Sequence, residues 1–486
     1  MNAKIGLGFA QATLSAGLYV FATHAAEAAV IVTEHHVTLL NVVQVVNPGP
    51  PQVINDINEA PAGAAAIAPG SVGPGLAPGL IVGVYLAGGS SAHGFTVTNP
   101  PRNEADKKFP DKVNADAIST GLSWVQPYDV NYGVVVNEQT GARSAPVFVG
   151  RARTSGPLYA AVGTTTGVTP GNNGALSNLN SPSQWAASGA TSINNGSKLN
   201  GVNVPVVVGW KQPAGSQAEQ AFYTYLTNPS APQNASIVDI KFTLPSGKTP
   251  VSSRALSVST PSLPGDHTLV AGFYRLELDG PPRGFVYDIE DGKLVQDLGR
   301  VVIPTLQPID QAHYVSINAK GWVAATAPVP EDSLTSYQAF VLDGQGNRSM
   351  IRPFGRFEDT FAAGISDTGW VVGALFDRDS QGLDRYSGFL WVAGQTFNLS
   401  DYLADMPGWT GITWALDVDS FKVLGADGKP TGFEQGTIVG MGKYNGQQRA
   451  FAMQMTVQVP EPQTYVMLGL GLLAIATLRM RRFRRS

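Results

Sequence analysis

The chain has no cysteine among its 486 residues. That absence excludes disulfide scaffolds, thiol nucleophiles, iron–sulfur clusters and cysteine-ligated zinc sites. If the protein is secreted, core packing alone must stabilise it. The absence does not place the protein in the cytosol, because many bacterial envelope proteins also lack cysteine.

Charge is also scarce, since only 14% of the residues are charged against about 25% in an ordinary soluble domain. This excludes a coiled coil, a charged disordered chain and a nucleic-acid binder with a basic face. Histidine occurs six times, and no two histidines have the spacing of a metal motif such as H-E-x-x-H. No Gly-x-Ser-x-Gly elbow is present, although a triad assembled in space stays open. We expect structural roles for His24, His35, His36, His93, His267 and His313.

Glycine and proline are plentiful, with 55 and 34 copies, and 43% of the residues are hydrophobic. The many glycines and prolines leave little room for long helices, while the hydrophobic content is enough to bury a core. Helical periodicity is hard to find outside the two termini. The composition therefore favours an all-β fold.

The N-terminus has the features of a secretory signal peptide over residues 1–28. Lys4 precedes an apolar stretch from about Ile5 to Ala22, and Ala26-Glu27-Ala28 is a small-x-small cleavage pattern. The predicted cleavage residues are Ala26 and Ala28. The alternative is an ordinary amphipathic or transmembrane helix.

The C-terminus combines three features in order over residues 459–486. Pro460-Glu461-Pro462 comes first, an uncharged run from Tyr465 to Leu478 follows, and five arginines end the chain. We predict a single transmembrane helix over 464–480, short against the roughly 20 residues of a full span. By the positive-inside rule, the tail stays cytoplasmic through Arg479, Arg481, Arg482, Arg484 and Arg485.

This order of features resembles the PEP-CTERM sorting signal of Gram-negative bacteria. The resemblance implies an exosortase as partner, a membrane cysteine transpeptidase that cuts near Pro460-Glu461-Pro462 and transfers the protein to the cell surface or extracellular matrix. The precursor would be held in the inner membrane by the C-terminal helix. A plain tail anchor is the alternative, and it would leave Pro-Glu-Pro unexplained.

Processing at both ends would change the charge of the protein. The mature form would keep 26 basic and 35 acidic residues, a net charge near −9. An anionic surface disfavours nucleic acid and anionic membranes as partners.

A two-part pattern recurs through residues 29–458, the predicted main domain. A β-branched run containing glycine or alanine is followed by a loop and then by a small or polar residue, phenylalanine and more apolar residues. Val134-Val135-Val136 with Pro146–Val149 is a weaker candidate unit. The clear units are 80–85 with 93–97, 206–210 with 220–223, 269–274 with 283–287, 321–325 with 338–341, 369–373 with 387–391, and 437–441 with 449–452.

Each unit predicts a β-hairpin. Valine, isoleucine and tryptophan favour a pleated buried surface, and glycine permits close backbone approach or a bulge. Gly or Ala before Phe would leave room for a ring of the next sheet. Because one hairpin cannot bury its own face, we expect the units to stack. Residues 151–205, rich in Thr, Ser, Asn and Gly, are predicted to be a surface insertion.

Short leaders such as Ser316–Gly321 and Gly364–Gly369 precede some of the glycine strands and predict tight turns. Leader, glycine strand and Phe strand together resemble the HAF repeat, approximately Ile-Asn-x-x-Gly-x-Val-Val-Gly, a loop and Ala-Phe. That resemblance implies an extracellular β-propeller-like array. The seven candidate units predict about seven irregular blades, with six or eight as alternatives.

Sites for chemistry are few. Asp377, Asp379 and Asp384 resemble the start of a calcium loop, but position twelve is Gly388 rather than Glu, so a solvated hairpin loop is favoured and calcium is the only candidate cofactor. Glu331-Asp332 and Glu358-Asp359 are surface-loop candidates. Trp210, Trp322, Trp370 and Trp391 lie on predicted strands, which favours core packing over sugar stacking.

The sequence therefore predicts an exported, non-enzymatic all-β protein with a structural or binding role, possible partners being the exosortase and an exopolysaccharide. Two alternatives stay open. One is a propeller hydrolase or lyase acting on polysaccharide, which needs a pocket holding two carboxylates with shifted pKa values. The other is a carbohydrate-binding adhesion module, which needs aromatic side chains exposed on one face.

Overall fold

The computed structural model describes the greater part of the main domain. The N-terminal signal, with Ala26 and Ala28, lies outside the described residues, and so does everything after Val459, including the predicted helix over 464–480. The described ranges are 30–43, 62–67, 80–87, 91–98, 110–117, 124–131, 135–137, 142–144, 146–153, 157–164, 176–179, 185–229, 231–261, 265–303, 314–330, 333, 335–378 and 384–459.

Within these ranges the chain is almost entirely β-structure, with two short 3-10 helices at Pro232–Asn234 and Leu399–Tyr402. The first sixteen strands are β1 Ile31–Val43, β2 Ala62–Ile67, β3 Leu80–Ala87, β4 Ser91–Thr98, β5 Lys112–Ala117, β6 Trp124–Val130, β7 Val135–Asn137, β8 Ala142–Arg143, β9 Val147–Arg153, β10 Tyr159–Thr164, β11 Leu176–Asn178, β12 Trp185–Ile193, β13 Ser197–Leu199, β14 Val202–Val204, β15 Val206–Pro213 and β16 Gln220–Tyr225. The remaining strands are β17 Val238–Asp239, β18 Ser252–Val258, β19 Leu269–Arg275, β20 Arg283–Asp288, β21 Lys293–Arg300, β22 Val315–Ile317, β23 Val323–Pro328, β24 Tyr337–Leu342, β25 Arg348–Ile351, β26 Asp359–Ile365, β27 Val371–Arg378, β28 Asp384–Val392, β29 Gln395–Asn398, β30 Trp409–Leu424, β31 Pro430–Tyr444 and β32 Gln447–Gln458.

Five sheets have four strands each, ordered β11-β10-β9-β6, β12-β15-β16-β17, β18-β19-β20-β21, β22-β23-β24-β25 and β26-β27-β28-β29. An eight-stranded sheet has the order β2-β3-β4-β5-β1-β32-β31-β30. Its halves are two further four-stranded groups, joined where β5 pairs in parallel with β1. Strand β1 therefore lies in the same group as the last three strands of the chain.

The predicted hairpins are present, and the glycine of one strand lies opposite the phenylalanine of the next. Gly209 pairs with Phe222, Gly272 with Phe285, and Gly373 with Phe389. The same register joins Gly83 to Phe95 and, with alanine in place of glycine, Ala325 to Phe340. A missing or small side chain leaves a space that the opposite ring fills, and all five of these phenylalanines are buried.

These glycines also accept the backbone of the strand on their other side. A Cβ at Gly209 would lie 2.0 Å from the Gly189 carbonyl oxygen, and at Gly272 it would lie 2.1 Å from the Arg254 oxygen. A β-bulge falls in the neighbouring strand at each of these sites. The expected role of glycine, close approach at a bulge, is confirmed.

The weaker candidate unit was placed on the wrong strands. Val135–Asn137 forms a small separate hairpin with β8, whereas β9 pairs with β6 and β10. The glycine equivalent in this sheet is Gly150, whose Cβ would lie 2.2 Å from the Gln126 oxygen. On β10 the residue opposite Gly150 is Ala161, and the ring in this sheet belongs to Phe148 of β9 itself, which covers Gly163 of β10.

The predicted surface insertion over 151–205 is wrong. Two long strands, β10 and β12, cross this segment, and Ala160, Val162, Ala190 and Ile193 belong to one hydrophobic cluster. Small residues are needed in these strands because aromatic side chains of neighbouring strands approach closely: a Cβ at Gly163 would lie 2.1 Å from the Phe148 ring, and one at Gly189 would lie 2.8 Å from Trp210 Nε1. A composition typical of loops therefore belongs here to buried sheet.

The small residue before each phenylalanine faces the next sheet. The Ala221 amide donates to Ser253 Oγ at 3.0 Å, and the Ala339 amide donates to Thr360 Oγ1 at 2.8 Å. A Cβ at Gly388 would meet Ile412 Cγ2 at 2.6 Å. The expected space is therefore present, but hydroxyls and an aliphatic side chain occupy it at these three positions rather than an aromatic ring.

The leader segments form the expected turns. Gly321 and Gly369 have positive φ angles of 73° and 102°, a conformation that favours glycine. The Gly321 amide donates to the Asn318 oxygen and the Gly369 amide to the Ser366 oxygen, each at 3.0 Å. Turns are also present at Asp343–Asn347 and at 425–429.

The chain divides into two compact units. The larger unit comprises 35–421 and 436–455 and contains the successive sheets with their hydrophobic clusters. The smaller unit takes in 1–34, 422–435 and 456–486, of which 30–34, 422–435 and 456–459 are described. In the smaller unit, Val457 is fully buried whereas Ile31 and Leu424 are exposed.

Candidate functional site

A cavity of about 140 Å³ lies in the larger unit against the first strands of successive sheets. Strands β6, β12, β18, β22, β26 and β30 all contribute to its wall. Its described lining includes no lysine or arginine, but it does include four aspartates: Asp129, Asp367, Asp417 and Asp419. The cavity is therefore polar and electronegative.

Asp129 is the titratable group whose environment is most clearly perturbed here. Burial raises its pKa to about 6 from the usual 3.8. Hydrogen bonds oppose part of that rise, because its carboxylate accepts from the Val130 amide at 2.7 Å, the Ile193 amide at 2.9 Å and Ser192 Oγ at 2.7 Å. All three donors are held by the β-structure itself.

Neighbouring sheets show that Asp129 holds a structural position. Ser192 Oγ accepts the Val258 amide at 3.3 Å, and Ser257 Oγ accepts the Ile317 amide at 3.1 Å. Ser192 and Ser257 hold equivalent positions in successive sheets. Each accepts the backbone amide of the residue that directly follows the equivalent position in the next sheet. Asp129 does the same with the Ile193 amide, so its carboxylate takes the place of a serine hydroxyl.

A second set of equivalent residues lies two positions after Asp129, Ser192 and Ser257. We call this set the polar belt, and each of its members directly follows the first strand of its sheet. In three members an asparagine joins one sheet to the next: Asn131 Nδ2 donates to the Asn194 oxygen at 3.1 Å, Asn194 Nδ2 to the Ser259 oxygen at 3.0 Å, and Asn318 Nδ2 to the Ser366 oxygen at 2.8 Å. The belt consists of Asn131, Asn194, Ser259, Asn318 and Ser366, all buried.

The same side chains close the local turns. Asn131 Oδ1 accepts the Val147 amide at 2.8 Å, Asn194 Oδ1 accepts the Val206 amide at 2.8 Å, and Asn318 Oδ1 accepts the Trp322 amide at 2.9 Å. An amide side chain is suited to this position because it has an acceptor for its own sheet and donors for the next. Sequence reasoning identified the Ile-Asn leaders but missed this bridging role.

The other cavity aspartates lie at the β26 and β30 side. A Cβ at Gly364 would lie 2.9 Å from Asp417 Oδ1, so glycine there leaves room for this carboxylate. Asp367 Oδ1 accepts the Ala319 amide at 2.9 Å and so bridges two sheets. The hydrolase alternative asked for two carboxylates with shifted pKa values, and Asp129 supplies one such group in a structural role.

His267 belongs to a second cluster, with Asp288 and Asp291, whose ligand atoms lie close enough to hold a metal ion. Its Nδ1 lies 2.5 Å from Asp288 Oδ2, and this hydrogen bond raises the His267 pKa. Lys293 Nζ lies 2.6 Å from Asp291. Basic side chains therefore already accompany both aspartates of the cluster.

Among the other histidines, His35 makes an edge contact with Tyr402 at 5.2 Å, and His36 Nε2 lies 3.2 Å from the Pro110 oxygen. His93 lies in β4, where its backbone pairs with Tyr85 of β3. His24 and His313 lie outside the described residues.

The calcium candidate lies at the end of the β27–β28 hairpin. Asp384 Oδ1 is 3.1 Å from Arg378 Nε, and Asp377 Oδ2 is 3.8 Å from Arg356 Nε. Asp379 lies outside the described residues. An arginine next to each described carboxylate competes with a cation for the same oxygens, and calcium binding here stays a prediction.

The acidic pair Glu358-Asp359 was expected in a surface loop, and for Asp359 this is wrong. Asp359 begins β26, is buried, and accepts the Tyr337 amide at 2.7 Å; burial raises its pKa. Glu331 and Asp332 lie outside the described residues. Trp210 and Trp370 are buried as expected, and Trp322 and Trp391 pack against the core while half-buried.

The last described strand ends where the predicted sorting segment begins. Strand β32 ends at Gln458, and the Val459 amide donates to the Gly432 oxygen at 2.8 Å. Pro460, Glu461, Pro462 and the five arginines of the tail lie outside the described residues. The next residue after this last hydrogen bond is therefore the first of Pro-Glu-Pro.

A scan against family models matches residues 458–482 to the PEP-CTERM protein-sorting motif. The chain carries an exosortase sorting motif. This finding confirms the PEP-CTERM resemblance, which implies export, processing by an exosortase and sorting to the cell surface or the extracellular space. The described ranges contain no helix with the length and hydropathy that crossing a bilayer requires.

No curated protein matches the chain at a significant level. Solved structures with some similarity include Sqt1 of Chaetomium thermophilum bound to the N-terminus of ribosomal protein L10, at 10% identity and TM-score 0.33, covering 80% of this chain and 86% of that one. The α-L-arabinofuranosidase PaAbf62A of Podospora anserina, in complex with cellotriose, has 10% identity and TM-score 0.25, covering 86% and 97%. At these scores the similarities support no inference.

Proposed function

We propose that this chain is an exported protein without catalytic activity, sorted by an exosortase to the cell surface or an exopolysaccharide matrix, where it has a structural or binding role. The observation that carries the proposal is the sorting motif at 458–482, which starts where the last strand ends. A folded domain followed at once by a processing signal is the arrangement expected of a cargo protein.

The larger unit supports a seven-bladed β-propeller as the part displayed. Seven four-stranded groups follow one another along the chain, and the first strands of six of them face one cavity. The seventh group takes three strands from the C-terminal end and β1 from the N-terminal end. In β-propellers generally, a group that takes strands from both ends of the chain joins the last blade to the first.

The cavity favours a scaffold over a hydrolase. Asp129, which has the raised pKa, accepts three hydrogen bonds from fixed donors and repeats a position that serine fills in the next two sheets. A general acid needs a proton that can reach a substrate. We therefore assign Asp129 to holding two sheets together.

Replacing Glu461 tests the sorting step. We expect Glu461→Ala to leave uncut precursor in the membrane fraction, because it removes the charged residue of the recognition tripeptide. Glu277→Ala is the matched control, since Glu277 is an exposed glutamate within the folded domain. The measurement is fractionation of the producing cells with mass spectrometry of the mature C-terminus. Normal release of the Glu461 variant would refute the proposal.

A further inference from the structure

The sorting motif overlaps the fold. The family match begins at residue 458, which is also the last residue of β32. One residue later, the Val459 amide is still bound to the Gly432 oxygen at 2.8 Å. The residues on the N-terminal side of Pro460 are therefore part of a sheet rather than a free linker.

Other contacts of the smaller unit hold the same stretch. Thr33 Oγ1 donates to the Thr456 oxygen at 3.2 Å, and the Val457 side chain is fully buried. Gly432 itself lies in a hairpin closed by the Gly425 amide, which donates to the Lys429 oxygen at 2.7 Å. Residues 456–459 are thus bound on two sides by backbone and side-chain contacts.

The pairing of residues 456–459 in the sheet conflicts with the binding of the same residues in the cleft of a peptidase. Extended peptides are commonly recognised through their backbone amides and carbonyls, in the manner of an added β-strand. Groups already paired in a sheet cannot make those bonds at the same time. An enzyme that binds residues upstream of Pro460 must therefore wait for the end of β32 to leave the sheet.

We propose that the described part of the smaller unit, residues 30–34, 422–435 and 456–459, acts as a strand clamp that limits access of the sorting enzyme to Pro460-Glu461-Pro462. The inference rests on the proposed sorting function. Local opening of a strand end is a small event compared with global unfolding. When opening and closing are fast, cleavage follows the fraction of molecules that are open.

A spacer experiment tests the clamp. Six Gly-Ser residues are inserted between Val459 and Pro460 in the full-length precursor, which moves the motif away from the sheet. The matched control carries the same insertion between Thr464 and Tyr465. The number of residues between β32 and the apolar segment then grows equally, while the motif still directly follows Val459 in the sequence. Conversion of precursor to mature protein is followed by pulse-chase in a strain with the exosortase and in one without it.

We expect the first insertion to accelerate conversion roughly five-fold or more, because the enzyme can then reach the motif without one or more hydrogen bonds of the sheet being broken. The control should give no acceleration. Thr33→Val, which removes only the hydroxyl bond to residue 456, should accelerate conversion less. Equal rates for the wild type and the first insertion would overturn the clamp, as would acceleration by both insertions. Absence of conversion even in the wild type with the enzyme would overturn the sorting function itself.

Discussion

Replacing Gly373 by alanine tests the role of the repeated glycine. Gly373 lies on β27 opposite Ala362, where β26 has a bulge, and opposite Phe389 on the other side. A Cβ at this position would lie 1.9 Å from the Phe361 carbonyl oxygen and 2.9 Å from Phe389 Cε1. The ring can shift by a small rotation, but the carbonyl oxygen cannot move without the strand.

The cost follows from this geometry. Ordinary van der Waals contact begins at 3.4 Å, so the two strands must separate by more than 1 Å, which breaks hydrogen bonds spanning a gap of about 4.8 Å. Loss of about two such bonds costs about 1 kcal/mol each, and overpacking the core adds about 1–3 kcal/mol. We expect the free energy of unfolding to fall by about 3–5 kcal/mol, and Tm by roughly 5 °C for a domain of this length.

Urea unfolding followed by tryptophan fluorescence measures this change. Gly411→Ala is the matched control, because Gly411 also lies in a strand, β30, and its nearest neighbour, Ser400 Oγ, would be 3.9 Å from the new Cβ. The control should change stability by less than about 1 kcal/mol. A loss below about 1 kcal/mol for Gly373→Ala would show that the strands relax freely, and would refute the close-approach explanation of the repeat.

Two further substitutions address the contacts between sheets. Asn194→Asp keeps the acceptor but loses the amide donor to the Ser259 oxygen and buries a carboxylate, so the free energy of unfolding should fall by about 2–4 kcal/mol. The control Asn200→Asp changes an exposed asparagine and should leave the urea midpoint unchanged. Equal effects of the two substitutions would contradict the bridging role of the polar belt. Asp129 has a folded pKa of about 6 against 3.8, so the folded state binds the proton more tightly and loses stability as pH rises from about 4 to 6. Relative to the wild type, the free energy of unfolding of Asp129→Ser should rise by roughly 2–3 kcal/mol over that interval. If the stabilities of the two proteins change in parallel between pH 4 and pH 7, the raised pKa of Asp129 is excluded.

The hairpins could be predicted from the sequence because their signals are local. A glycine in a β-branched run and a phenylalanine after the loop lie opposite each other in the sheet, as at Gly272 and Phe285. The leader turns were predictable for the same reason, since Gly321 and Gly369 stand where a positive φ is required. The extent of these elements needed no information from distant parts of the chain.

Contacts between sheets were not predictable in the same way. Residues 151–205 have a loop-like composition, yet Gly163 and Gly189 are small because other strands and rings approach them. Composition cannot separate a glycine that frees a loop from one that admits a neighbour. Asp129 is similar: only its equivalence to Ser192 and Ser257 in the following sheets shows that it serves as an acceptor for the next sheet.

The polar belt explains how a chain with few charges and no cysteine can hold its sheets together. Asn131, Asn194 and Asn318 each satisfy their own turn and one carbonyl of the following sheet. These bonds are neutral, so they do not weaken with salt as surface ion pairs do. Each also leaves a costly unsatisfied carbonyl if its neighbour moves away. The position of one sheet therefore constrains the next, because each of these three asparagines fixes both its own turn and a contact with the following sheet.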